Sequence, residues 1–71
     1  MIRCRLSEFM GKRKMSKQDV INATGLSRVT VANLYSETAG RIDYDTIEKL
    51  CRLFDCEVGE MFYLDRSVSL E

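Results

Sequence analysis

The stretch SKQDVINATGLSRVTVANLY, residues 16–35, decides the fold. It reads as two short helices joined by a tight turn. Ser16 is a good N-cap, because its side-chain oxygen can accept from an open backbone N–H in the first helical turn. Asp19 follows at the capping-box distance, a weaker partner there than Glu or Gln. Gly25 sits where a helix must stop and the backbone turn left-handed, a conformation that costs glycine little. Leu26 is a single apolar plug in the turn. Ser27 is a second N-cap and opens a second helix.

That second helix has two distinct faces. At about 100° per residue, Ser27, Thr30, Val31 and Leu34 fall on one side. Arg28, Val29, Ala32, Asn33 and Ser36 fall on the other. The first face suits packing. The second is odd for a solvated face, with one cation, one amide and two small apolar groups. It suits a helix laid in the DNA major groove, where Arg pairs with guanine, Asn with adenine, and an apolar group touches a thymine methyl.

Lys17, Val20, Ala23, the Gly25-Leu26-Ser27 turn, Val31 and Leu34 together resemble the lambda-repressor-like, Cro-type helix-turn-helix domain of the xenobiotic-response-element regulators. Downstream, DTIEKLCRLFDCEVGEMF, residues 45–62, resembles the fourth and fifth helices of that domain. The likeness covers roughly Leu6 to Leu64. It implies an all-α fold, a five-helix bundle of the lambda-repressor type, with room for a short terminal β ribbon. It also implies double-stranded DNA as the partner and a homodimer as the binding unit. On this resemblance Arg28 and Asn33 are the base readers, helped by Ser27, Val29 and Ala32. Lys17, Tyr35, Ser36, Arg41 and Arg13 are the expected phosphate contacts. Two positions depart from the family. Ile21 stands where alanine is preferred, so it is expected to lean out of the contact or splay the helices. Lys17 replaces a common Gln.

Outward from this core, Ile2, Cys4 and Leu6 alternate with Arg3 and Arg5, the pattern of a short strand or of a lead into the first helix. That helix is expected over Leu6–Arg13, with Leu6, Phe9 and Met10 inside. Gly11 within it costs about 1 kcal/mol relative to alanine. Lys12, Arg13 and Lys14 place cations at its C-terminus, where the dipole favours them and where a phosphate could also be met. The second helix, Lys17–Thr24, is expected to bury Val20, Ala23 and Thr24. Its N-terminus is a natural anion site. After a polar loop from Ser36 to Ile42, Asp43 reads as an N-cap with Asp45 in the first turn. Tyr44, Ile47, Leu50, Cys51 and Phe54 recur at helical spacing as one buried face, with Leu53 on its flank and Asp55-Cys56 closing the helix. The fifth helix is expected over Val58–Leu64, with Met61, Phe62 and Leu64 inside, or with Met61 or Tyr63 exposed as a dimer patch. In the tail, residues 65–71, Val68 and Leu70 alternate and could pair with Ile2–Cys4, although a lone two-stranded ribbon is marginal. The final Leu70-Glu71 could equally be a cloning remnant.

Seventy-one residues allow one domain with a modest core, here residues 1–71 with the helix-turn-helix at 16–36. Hydrophobic residues make up 45%, too many for a disordered chain. No apolar run approaches the roughly 20 residues of a membrane span. No apolar core follows Arg3 and Arg5, so no signal peptide is expected and the protein should be cytoplasmic. Cys4, Cys51 and Cys56 are odd in number and lack paired metal spacing, and no histidine is present to complete a zinc site. They read as reduced thiols acting as small hydrophobes, with redox sensing or an intermolecular disulfide as the alternatives.

Net charge is zero, yet its distribution is uneven. Residues 1–41 carry eight cations against three acids, +5, and residues 42–71 carry three against eight, −5. The helix-turn-helix lies in the basic part, as a nucleic-acid face requires. There is no histidine, no Gly-rich phosphate loop and no plausible carboxylate cluster, so neither enzyme activity nor a cofactor is expected. Ser16 and Ser27 are explained as caps. The expected function is DNA-binding regulation of transcription, most simply repression by a phage, mobile-element or small bacterial regulator. Two other classes fit the same residues. One is an antitoxin that also binds a toxin through the acidic half. The other is a protein-interaction module that kept the fold and lost DNA.

Overall fold

Chain order runs β1 (Ile2–Cys4), α1 (Leu6–Arg13), α2 (Lys17–Thr24), α3 (Arg28–Tyr35), α4 (Tyr44–Phe54), α5 (Val58–Met61) and β2 (Phe62–Leu64). These come from a computed structural model that describes residues 2–66. Three of the helix starts are set by the caps read from the sequence. Ser16 accepts from the Asp19 N–H at 3.1 Å, and Asp19 returns the contact from the Ser16 N–H at 2.9 Å. Ser27 accepts from the Thr30 N–H at 3.1 Å and Asp43 from the Thr46 N–H at 3.0 Å. Each bond satisfies a donor that the first helical turn leaves open.

Five helices close around one core of Leu6, Met10, Val20, Val31, Leu34, Leu50, Phe54 and Met61. The α4 stripe differs from the expected one. Thr46, Leu50 and Phe54 are buried, Ile47 and Cys51 are half-buried, and Tyr44 is 91% exposed. The Asp43 cap places Thr46 inward, and Tyr44, two residues earlier, then points roughly 200° away. In α2, Ala23 is exposed rather than buried. Thr24 takes the inner place instead, donating its hydroxyl to the Val20 carbonyl at 2.7 Å and accepting the Leu26 N–H at 3.2 Å. Ile21 does not lean out; it is half-buried and packs against the core. Leu53 also packs there, as a core edge.

The fifth helix is shorter than expected. It ends at Met61, and Phe62–Leu64 leaves it as a strand antiparallel to Ile2–Cys4, with Ile2 opposite Leu64 and Cys4 opposite Phe62. The ribbon foreseen for the N-terminal segment therefore forms with Phe62–Leu64. The Val68–Leu70 pairing, and Leu70-Glu71 with it, lie outside the described residues. The physical reason is competition. The Arg5 N–H donates to the Met61 carbonyl at 2.8 Å, and a second helical turn would forfeit both that bond and the strand pairing. Phe and Tyr also favour the pleated surface. Met61 is fully buried, Leu64 is 49% exposed and Tyr63 lies half-buried under the Arg5 guanidinium, 4.1 Å from its ring centre. Neither Met61 nor Tyr63 is thus the open apolar patch considered for a dimer.

Helix ends divide into two kinds. Past α2, Gly25 takes φ 77° and its N–H donates to the Ile21 carbonyl at 2.8 Å. Past α1, α3 and α4, the left-handed position belongs to Lys14, Glu37 and Asp55, at φ 55°, 59° and 52°. Each of these three ends closes with a six-residue hydrogen bond: Met15 N–H to Met10, Thr38 N–H to Asn33 and Cys56 N–H to Cys51, at 2.9, 2.8 and 3.0 Å. The closure satisfies orphan carbonyls while a side chain sits in a region that costs roughly 1 kcal/mol. A Cβ on Gly25 meets nothing within 4 Å, so its value is conformational alone. Gly25→Ala is therefore expected to lower stability by about 1 kcal/mol, and Lys14→Gly to raise it by about 0.5–1 kcal/mol. Urea unfolding of the two variants beside the parent chain checks both signs.

Candidate nucleic-acid interface

The α3 helix is held from behind. Val31 and Leu34 are buried, and Ser27 both caps the helix and donates to the Thr30 hydroxyl at 2.8 Å. With that side turned inward, helical geometry turns Arg28, Val29 and Asn33 outward, where all three are exposed. Val29 is 68% exposed, an apolar side chain standing in water. Arg28 makes no hydrogen bond or ion pair among the described residues, so its five-donor fork is available. Among the described residues, the Asn33 side-chain oxygen Oδ1 meets only the Thr38 hydroxyl, at 3.5 Å, the outer limit of a hydrogen bond. Ala32 is half-buried on the same side. Ser27, at the helix start, is exposed but already engaged as the cap.

The residues expected at phosphates separate into three groups. Lys17, the first residue of α2, and Tyr35, the last of α3, meet each other: the ammonium lies 4.5 Å from the ring centre. Ser16, Met15 and Ser7 border the same hollow. A cation held against an aromatic face beside a helix N-terminus is well formed to hold an anion. Arg41 is exposed and shares a second hollow with Thr30, Asn33, Gly40 and Asp43 between α3 and the start of α4. Ser36 and Arg13 are differently engaged. The Ser36 hydroxyl donates to the Ala32 carbonyl at 2.6 Å, which leaves no proton for a phosphate oxygen in that rotamer. Arg13 donates both ends of its fork, to the Leu53 and Phe54 carbonyls at 2.9 Å each, with its guanidinium 5.4 Å from the Phe54 ring centre. It closes the C-terminus of α4, where a cation complements the dipole.

One positioning residue has no local sequence signal. Glu37, just past α3, accepts from Arg3 Nε at 2.7 Å and from Arg3 Nη2 and the Cys4 N–H at 3.1 Å each. Arg3 also reaches Asp65 at 3.1 Å. The loop that follows α3 is thereby tied to the ribbon. The Arg3 hydrogen bonds, then the Cys4 N–H, lower the Glu37 carboxyl from 4.5 to about 2. The same pairing raises the Arg3 guanidinium. Positive φ at a glutamate, and a partner 34 residues away, are features that only the folded chain reveals.

The model of the Cro/C1-type HTH DNA-binding domain family matches residues 5–66, from the start of α1 through β2. No curated protein matches the chain. Among the described residues, no helix is long and apolar enough to cross a membrane.

Two outcomes follow from the geometry. Arg13→Ala leaves two α4 carbonyls without their charged donor and should cost about 1–2 kcal/mol in thermal or urea unfolding. Glu37 has a depressed folded-state pKa, so its contribution is present above its unfolded value near 4.5 and is lost as pH falls toward 2. Glu37→Gln should be less stable than the parent at neutral pH, and the gap should close between pH 4.5 and 2. Melting curves across that window measure it.

Proposed function

The chain belongs to the family of Cro/C1-type helix-turn-helix DNA-binding domains, and from that membership we propose a sequence-specific repressor that acts as a symmetric dimer on a near-palindromic operator. DNA binding in transcription regulation is the family's business; the repressor role, the dimer and the operator are the proposal's own. One observation carries it most directly. A helix buried along Val31 and Leu34 presents Arg28, Val29 and Asn33 together on its open side.

In the major groove, Arg28 offers two parallel donors to guanine O6 and N7. Asn33 offers one donor and one acceptor to adenine, and Val29 with Ala32 supplies the apolar contact a thymine methyl seeks. Lys17 with Tyr35 holds one stretch of backbone, and Arg41 another across the hollow it shares with Asn33. These contacts fix register while the base contacts carry sequence. A single eight-residue helix reads only a few base pairs. A two-fold pair with recognition helices about 34 Å apart doubles the site and makes it near-palindromic.

Selection of bound duplexes from a random library, followed by titration at two salt concentrations, tests this reading. A near-palindromic winner is expected. On it, Arg28→Ala should lose about 1–3 kcal/mol and relax the preference at one base pair per half-site. Lys17→Ala should instead weaken all duplexes alike and lower the salt slope by about 1 per chain, since it releases one fewer counterion. No enriched sequence, with Arg28→Ala indistinguishable from the parent, would overturn the operator and leave a protein-interaction module.

A further inference from the structure

Two of the three thiols meet at the end of α4. Asp55 takes φ 52°, the chain folds back, and the Cys56 N–H donates to the Cys51 carbonyl at 3.0 Å. A closure of this kind sets the side chains at its two ends against each other, the place where two apolar groups ordinarily touch. Here both are thiols. Both are half-buried free thiols, and both border one shallow groove with Tyr44, Ile47 and Val58. Cys4 is elsewhere, opposite Phe62 in the ribbon.

We propose that Cys51 and Cys56 form a reversible intramolecular disulfide by exchange with a low-molecular-weight disulfide such as oxidised glutathione. A disulfide needs Cα atoms roughly 4.4–6.8 Å apart and Cβ atoms facing each other. The existing hydrogen bond already brings the two residues together, so no distant segment has to be drawn in. Burial, Cys51 and the acids Glu60 and Asp55 push the Cys56 thiol up to about 11, which disfavours Cys56 as the first nucleophile, so the exchange starts at Cys51.

The Cys51 thiol loses its proton, and its sulfur attacks the small disulfide. That bond breaks, a mixed disulfide forms, and the first small thiolate leaves and takes up a proton. Cys56 then loses its proton and attacks the Cys51 sulfur, expelling the second small thiol. One S–S bond is broken and one is formed, and two electrons pass from the protein thiols to the oxidant. The loop closed is short, so little chain entropy is removed. The bond is therefore labile, suited to a switch. It would lock the corner at which Arg13 grips Leu53 and Phe54.

The full chain is exposed to oxidised glutathione, quenched in acid, alkylated and digested with trypsin. Trypsin cuts after Lys49, Arg52 and Arg66. The bond would thus join peptide 50–52 to peptide 53–66, in a species with the mass of one chain. That linked pair is expected to dominate and to vanish with dithiothreitol. In Cys56→Ser it should be absent, with glutathione on Cys51 rising severalfold because nothing resolves it. Equal glutathione on Cys51 in parent and variant would overturn the proposal. So would both cysteines remaining fully alkylated, or linkage found only to Cys4 or between two chains.

Discussion

An eight-residue helix does not hold itself in water, because nucleation costs more than so few hydrogen bonds return. The α3 helix exists because Val31 and Leu34 are buried among Leu6, Val20, Leu50 and Met61. Everything outward of that contact follows from it. Once those two side chains face the core, the helical rotation leaves Arg28, Val29 and Asn33 no direction but solvent. The same burial seats the start of α2 beside the end of α3, which is what brings Lys17 to the face of Tyr35. The reading surface is thus a by-product of the packing surface on the same short helix.

With helices this short, their ends carry an unusual share of the structure. Four of the five helices finish in a left-handed residue, and only one of these is a glycine. Lys14, Glu37 and Asp55 hold the position because the closing hydrogen bonds and neighbouring packing outweigh the strain. Arg13 adds two charged donors at the end of α4, so a cation from α1 does for α4 what its own sequence does not. Glu37 performs a related task at the end of α3, anchoring the following loop to a ribbon made from both ends of the described chain.

The division of charge also acquires a spatial meaning. Most cations of the first 41 residues are not equivalent. Arg3 and Arg13 are spent on holding the fold together, and Arg5 lies over Tyr63. Among the described residues Arg28 and Arg41 form no ion pair, and Lys17 meets an aromatic face. A tally of charge along the chain points to the right half of the molecule but does not say which cations remain for a polyanion.

What the sequence by itself determined were features whose causes lie within one helical turn. Ser16, Ser27 and Asp43 cap, Gly25 turns, and α2, α3 and α4 begin where those local signals put them. The two-faced pattern of residues 28–35, and the family resemblance built on it, were legible for the same reason. Tertiary structure decided what depends on distant partners. Whether Phe62–Leu64 would be helix or strand turned on Ile2–Cys4, sixty residues away. Thr46 rather than Tyr44 faces inward because the stripe must meet a core assembled from other helices. Arg13, a plausible phosphate ligand by charge alone, was claimed by the carbonyls of α4. Local hydrogen bonds act before the chain has folded; burial and long-range pairing act only once it has, and they overrule periodicity where the two compete.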